Sequence, residues 1–265
     1  MADLAFKPAL DPVTTPARAH WPVMASRCLR LSLRGVDALI IALLLPVIMM
    51  LMFVFLFGGA IETGTDYVTY VLPGVLVLCA GYGASLTAVS LNQDLKDGII
   101  DRFRSMDVGG AAIIAGHVLA STARNMLSMT LVFAVAFLIG FRPDAGPGAW
   151  LATIGLLVAY ILAMSWLSAM IGLLAKTPEA AGGFGFFMLF LPYLSSGFVP
   201  IETMPEVIHG FATYQPTTPI IDSARGLLLG QAVGDTPWLG LSWCAGILAV
   251  AVVLSGVLFA RRAAR

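Results

Sequence analysis

Residues 90–110 read SLNQDLKDGIIDRFRSMDVGG and hold seven charges between Asp94 and Asp107. Leu95, Ile99, Phe103 and Met106 recur at spacings of four, four and three. Residues so spaced share one face of a helix, so the segment predicts a short helix with one apolar stripe. Asp97, Asp101 and Arg104 sit mostly away from that stripe. Such a helix can fill a groove in a partner protein, or it can lie solvated on lipid headgroups.

Two further segments carry chemistry. Residues 20–36, HWPVMASRCLRLSLRGV, predict an amphipathic helix after Pro22, with Arg27, Arg30 and Arg34 on one face. Those arginines suit anionic headgroups at a membrane surface, and the same residues would also serve as a basic flank that sets orientation. Residues 190–230 contain Pro192, Pro200, Pro205, Pro216 and Pro219. Pro192 and the Ser195-Ser196-Gly197 turn should stop a helix there. The stretches Glu206 to Tyr214 and Ile220 to Leu229 then read as short helices that re-enter or lie on the outer leaflet. Irregular backbone survives at membrane depth only when protein or water covers it. This region is therefore either a plugged outer gate or an external loop with interfacial helices.

Much chemistry is excluded. A phosphate-binding loop ends in Gly-Lys-Ser/Thr, yet Lys7, Lys96 and Lys176 are the only lysines and none follows a glycine. No HExxH and no G-x-S-x-G occurs. His20, His117 and His209 are far apart in sequence and fall on different predicted elements. Cys28, Cys79 and Cys244 have no zinc-like spacing and read as small buried apolar residues. A transporter driven by an ion gradient buries ionisable groups within its spans. Here Asp37 lies at a span edge, and Arg124, at the start of another, is expected to snorkel to the interface. A cavity-lining role is the other reading of Arg124. If the chain moves a solute, its energy must come from another chain.

The elements that position these segments are membrane spans. Of 265 residues, 59% are apolar and 11% charged, against about 25% charged in a soluble domain; mean hydropathy is +0.91. Such a composition excludes a soluble domain and a disordered chain, and the formal net charge of zero gives no pull toward nucleic acid. Continuous apolar runs predict an all-α polytopic protein with spans at 37–57, 70–91, 121–140, 150–175, 182–198 and 238–260. The amphipathic helix covers 22–35, the charged loop 92–110, the external region 199–236, and residues 1–20 form a flexible cytoplasmic N-terminus. With the N-terminus inside, 13 of the 15 Lys and Arg residues face the cytoplasm and only Arg142 and Arg225 lie outside. That bias sets both termini in the cytoplasm. Ser165, Ser168 and Gly172 suit close helix packing.

In this order and spacing, YVLPG (70–74), DLKDGIIDRFRSM (94–106), LSSGFVPIETMP (194–205) and QPTTPIIDSARGLLLG (215–230) resemble the permeases of type-2 ABC exporters. The resemblance is strongest to the daunorubicin-resistance-type branch and covers the chain from about Trp21. Asp107-Val108 departs from the family, which often has a proline there.

The resemblance implies that residues 94–106 are a coupling helix against a separate ATP-binding subunit. Leu95, Ile99, Phe103 and Met106 would supply its apolar contact, and Asp94, Asp97, Asp101, Arg102 and Arg104 its charged register. Gly98 would allow close backbone approach. Two permease copies would pair in a bacterial plasma membrane among its lipids, each docking one ATPase subunit. ATP and magnesium would sit on that subunit, and this chain would hold no cofactor. Pro192, Ser195, Ser196, Gly197, Phe198, Pro200, Pro216, Pro219, Asp222 and Arg225 would belong to the broken fifth helix and the outer re-entrant gate. The expected cargo is an amphiphilic drug or lipid. A polysaccharide or lipid-linked glycan permease, an intramembrane enzyme and a purely structural subunit are the rival readings.

Overall fold

Apolar runs without alternation satisfy their backbone groups internally, and in the computed structural model they are helices. The structure describes residues 20–61, 64–106 and 108–263, and the described residues contain no strand. The expected flexible N-terminus lies outside them, as do Asp107 and the side chains of Asp101 and Arg104. In chain order the α-helices are α1 (His20–Arg34), α2 (Val36–Met52), α3 (Tyr67–Lys96), α4 (Ile99–Ser105), α5 (Gly110–Leu138), α6 (Pro147–Leu174), α7 (Pro178–Phe190), α8 (Glu206–Tyr214), α9 (Thr217–Leu228) and α10 (Thr236–Ala263). One π-helical turn, Phe53–Phe57, extends α2.

The centre is α3. Its residues from Tyr67 to Gly81 are all buried, as expected of a helix that is apolar on every side. It packs against α5, α6, α7 and α9, while α10 lies on α6 and α9, and α1 lies on α5. Small residues permit the closest approaches. A Cβ on Gly172 would meet the Ala88 carbonyl oxygen at 2.6 Å, so α6 and α3 touch there through backbone, the close packing expected of that position.

Five helical segments are long and apolar enough to cross a membrane: Leu39–Phe57, Tyr67–Lys96, Gly110–Leu138, Pro147–Leu174 and Thr236–Arg261. The remaining expected span, 182–198, differs. Its helix α7 starts earlier, at Pro178, behind the Thr177 hydroxyl, which accepts from the Ala180 amide at 3.2 Å. It ends at Phe190, and a 3-10 turn follows over Leu191–Leu194. Thirteen residues rise only about 20 Å, short of the roughly 30 Å hydrocarbon core. Pro192 and the turn after it stop the helix where the sequence indicates.

The charged loop is also shorter than 92–110. Helix α3 continues to Lys96, and α5 begins at Gly110 rather than Ser121. At 30 and 29 residues these two helices run about 45 Å, so their ends stand clear of a bilayer core.

Candidate coupling site

The turn from α3 into α4 follows from local sequence. Helix α3 ends where the Asp97 amide bonds the Gln93 carbonyl at 2.9 Å, and Gly98 turns the chain at φ +69°. A left-handed residue just past a helix end favours glycine. No atom lies within 4 Å of where its Cβ would stand. Within this chain, then, Gly98 serves conformation. Helix α4 closes when the Val108 amide returns to the Phe103 carbonyl at 3.1 Å.

The expected four-residue stripe is not one face of one helix. Leu95 belongs to α3, Met106 lies past the end of α4 and is 52% exposed, and Ile99 is half-buried. The residue that α4 buries is Ile100, at 3% exposure, with Phe103 packed beside it. The periodicity was read through a break at Gly98 that resets the helical phase. Ile100 and Phe103 join Met24, Leu91, Val108, Ile113, Ile114, Val118, Ala169 and Leu173 in one apolar cluster. Residues of α1, α3, α5 and α6 therefore share this cluster with α4. Arg102 is exposed on its outer side, as are Asp97 and Lys96 at the turn.

Asp94 is not on the presented surface. It lies in the last turns of α3, 9% exposed. Arg27 of α1 donates to both of its oxygens, at 2.7 and 3.3 Å. His117 Nε2 of α5 stands 3.2 Å from Oδ2, and Ser90 Oγ stands 3.4 Å from His117 Nδ1. Arg27 also lies over the Phe103 ring, 5.0 Å from its centroid, in cation–π range. One carboxylate thus ties α1, α3 and α5 together, and its arginine rests on α4. The Asp94 hydrogen bond raises the Arg27 guanidinium further above its ordinary range. Arg27 therefore turns inward, whereas Arg30 and Arg34 are exposed. Helix α1 seats on α5 at Gly116, where a Cβ would meet Met24 Cβ at 2.9 Å.

Three of these features escaped sequence reasoning. His117 looked isolated, but it pairs with Asp94. Asn92 donates to the Gly172 and Ala175 carbonyls at 2.9 and 2.8 Å, satisfying the end of α6. Arg124 is held between neighbouring helices rather than free at a helix end. It sits midway along α5, donating from Nη1 to Ser32 Oγ at 2.8 Å and from Nη2 to the Gly83 carbonyl at 2.9 Å. The available signal was the spacing of His117 and Arg124, seven apart, which places both on one face of a helix.

The other end of the molecule holds a second polar cluster. Arg225 of α9 donates to Asp222 at 2.9 Å, to the Tyr70 carbonyl at 3.2 Å and to the Ser196 carbonyl at 2.5 Å. Its guanidinium stacks 3.9 Å from the Tyr70 ring centroid. Ser196 donates to Asp222, and Tyr67 to the Phe198 carbonyl at 2.9 Å. The Gln215 amide bonds the Leu191 and Leu194 carbonyls left open by the broken helix. A Cβ on Gly74 would meet the Gly197 carbonyl oxygen at 2.5 Å, which explains a glycine after Pro73. Ser195, Ser196, Gly197 and Phe198 are thus brought together with Asp222 and Arg225. Pro192 is buried behind them, and Pro216 and Pro219 start α9. Pro200 only opens the 3-10 turn Ile201–Thr203.

Residues 20–229 match the model of the ABC-2 type transporter family. The chain belongs to that family. Its relatives include the daunorubicin resistance ABC transporter permease protein DrrB1 of Streptomyces coeruleorubidus, 33% identical over 80% of this chain and 76% of that protein. The probable doxorubicin resistance ABC transporter permease protein DrrC of Mycobacterium tuberculosis is 24% identical over 80% of this chain and 78% of its own length. ABC transporter G family member 20 of Dictyostelium discoideum is 24% identical over 71% of this chain but only 27% of its own length. For an ABC-2 type chain the polar contacts beneath α4 gain meaning, because a transporter of this family works with an ATP-binding partner.

Proposed function

We propose that this chain is the membrane permease subunit of an ATP-driven exporter of amphiphilic drugs or lipids, powered by a separate ATP-binding subunit docked on α4. The observation that carries the reading is the seating of α4. It is a short helix whose inner face rests on Arg27 and on the shared apolar cluster, while Arg102, Lys96 and Asp97 stay exposed. A push on α4 therefore bears at once on α1, α3 and α5. Exposed charges around an apolar anchor set register and partner choice.

In this reading the chain crosses a bacterial plasma membrane six times, with α7 and the turn after it as the broken fifth crossing and both termini in the cytoplasm. Two copies pair and each docks one ATPase subunit, which holds ATP and magnesium. The drug-resistance names of the relatives support an amphiphilic cargo over a glycan. Trp150, Trp166, Trp238 and Trp243 are scattered and form no stacking path.

The test pairs the chain with its ATP-binding subunit in vesicles. Arg104→Glu or Phe103→Ala is expected to abolish drug transport and the stimulation of ATP hydrolysis, with membrane insertion intact. Stimulation at the unsubstituted level in both variants overturns the docking assignment.

A further inference from the structure

A cleft of about 350 Å³ opens between α1, the start of α2, α3 and α5. Its walls are mostly apolar, with Leu31, Leu39, Leu86 and Val89, and Thr87 and Arg124 are among the polar groups that interrupt them. Two of those polar groups are incompletely used. Arg124 Nε is buried and has no hydrogen-bond partner, and so is Thr87 Oγ1, on a residue only 1% exposed. Buried polar atoms are nearly always paired, so two orphans in one cleft point to a ligand with acceptor atoms.

Charge narrows the class. The two bonds that Arg124 makes go to a neutral hydroxyl and a neutral carbonyl, and among the described residues no carboxylate pairs with it. Asp94, which lines the same cleft, has both oxygens engaged by Arg27 and His117. A lone cation along a membrane-spanning helix is costly and marks a functional site. Guanidinium matches phosphate oxygens in geometry as well as charge.

The surroundings select the source. Leu31, which lines the cleft, and Ile40 and Ile41, next in sequence to the lining residue Leu39, are 47–53% exposed, a surface suited to acyl chains rather than water. The volume accommodates a headgroup and its first methylenes, leaving the tails to run along α1 and α2. Basic pockets between membrane helices bind lipid phosphates in this way.

We propose that this cleft binds the headgroup of an anionic phospholipid, with Arg124 on the phosphate and Thr87 donating beside it. The lipid wedges against α1, the helix that carries Arg27. The inference rests on the orientation proposed above only for the choice of the inner leaflet.

The full-length chain, purified in detergent, is offered equal phosphatidylglycerol and phosphatidylcholine, and retained lipid is read by native mass spectrometry. Wild type is expected to retain phosphatidylglycerol about tenfold over phosphatidylcholine, because the quaternary ammonium of choline offsets the phosphate charge and is repelled by the guanidinium. Arg124→Gln removes the preference, Leu86→Trp fills the cleft and lowers retention of both lipids, and Arg142→Gln, on an exposed arginine past the far end of α5, changes neither. Equal retention of the two lipids by wild type overturns the proposal. So does a preference that survives Leu86→Trp, a variant that leaves the charge in place if Arg124→Gln fails to fold. Displacement of the lipid by excess inorganic phosphate would make this a soluble-anion site and also overturn it. Retention in detergent depends on neither orientation nor the ATPase subunit. Failure of the export reading would therefore leave this result standing.

Discussion

The two polar clusters of this molecule are built from similar residues and wired differently. Beneath α4, the charged bonds run from side chain to side chain: Arg27 of α1 and His117 of α5 both reach Asp94 of α3. At the opposite end, Arg225 spends two of its bonds on the Tyr70 and Ser196 carbonyls, and Gln215 spends its amide on Leu191 and Leu194. Bonds to main chain fix a backbone path. Bonds between side chains can be remade after a helix shifts by an ångström or two, the usual scale of switching motions. The first cluster is suited to a joint and the second to a fastening.

The fastening should be the costlier to break. Arg225→Met leaves two carbonyls and Asp222 short of a donor, on a side chain now 14% exposed, and should cost about 3 kcal/mol. The readout is a lowered thermal midpoint of the purified chain, with transport falling only as folded protein falls. A variant that keeps its midpoint yet loses transport would reverse the assignment of the two ends.

The joint should show the opposite pattern. Asp94→Asn keeps the shape but removes the charge shared by Arg27 and His117, and should cost about 2 kcal/mol. Transport per folded molecule should fall further than stability, because Arg27 would no longer be held over Phe103. A double substitution, Arg27→Gln with Asp94→Asn, should cost less than the sum of the singles, since the pair shares one interaction. Additive effects would show that the two residues act independently.

How much of this was legible in the sequence depends on the range of the contacts. Apolar runs and their breaks are local, so helices α2, α3, α6 and α10, the stop at Pro192 and the helices α8 and α9 could be read directly. The Arg27–Asp94 pair spans 67 residues and His117–Asp94 spans 23, which periodicity cannot reach. Arg124 takes the cavity-lining reading rather than the snorkelling one, because hydropathy marks where a span begins, not where its helix begins. With α5 starting at Gly110, a residue assigned to the span edge lies at mid-helix, where its guanidinium bonds Ser32 of α1 and the Gly83 carbonyl of α3. The stripe on residues 95–106 failed for a smaller reason. Counting by three and four assumes one unbroken helix, and Gly98 breaks it.

That break supplies the mildest test of the comparison. Gly98 holds φ +69° with open space around its Cβ position, so Gly98→Ala meets a conformational penalty and no clash. The expected cost is about 1 kcal/mol, smaller than at either polar cluster. If α4 transmits force only while its angle to α3 is held, this small loss should still lower ATPase stimulation measurably, and Gly98→Asn, which tolerates the left-handed region better, should restore part of it. Equal stimulation in wild type, Gly98→Ala and Gly98→Asn would show that the turn merely connects two helices, leaving the Asp94 hub as the whole of the joint.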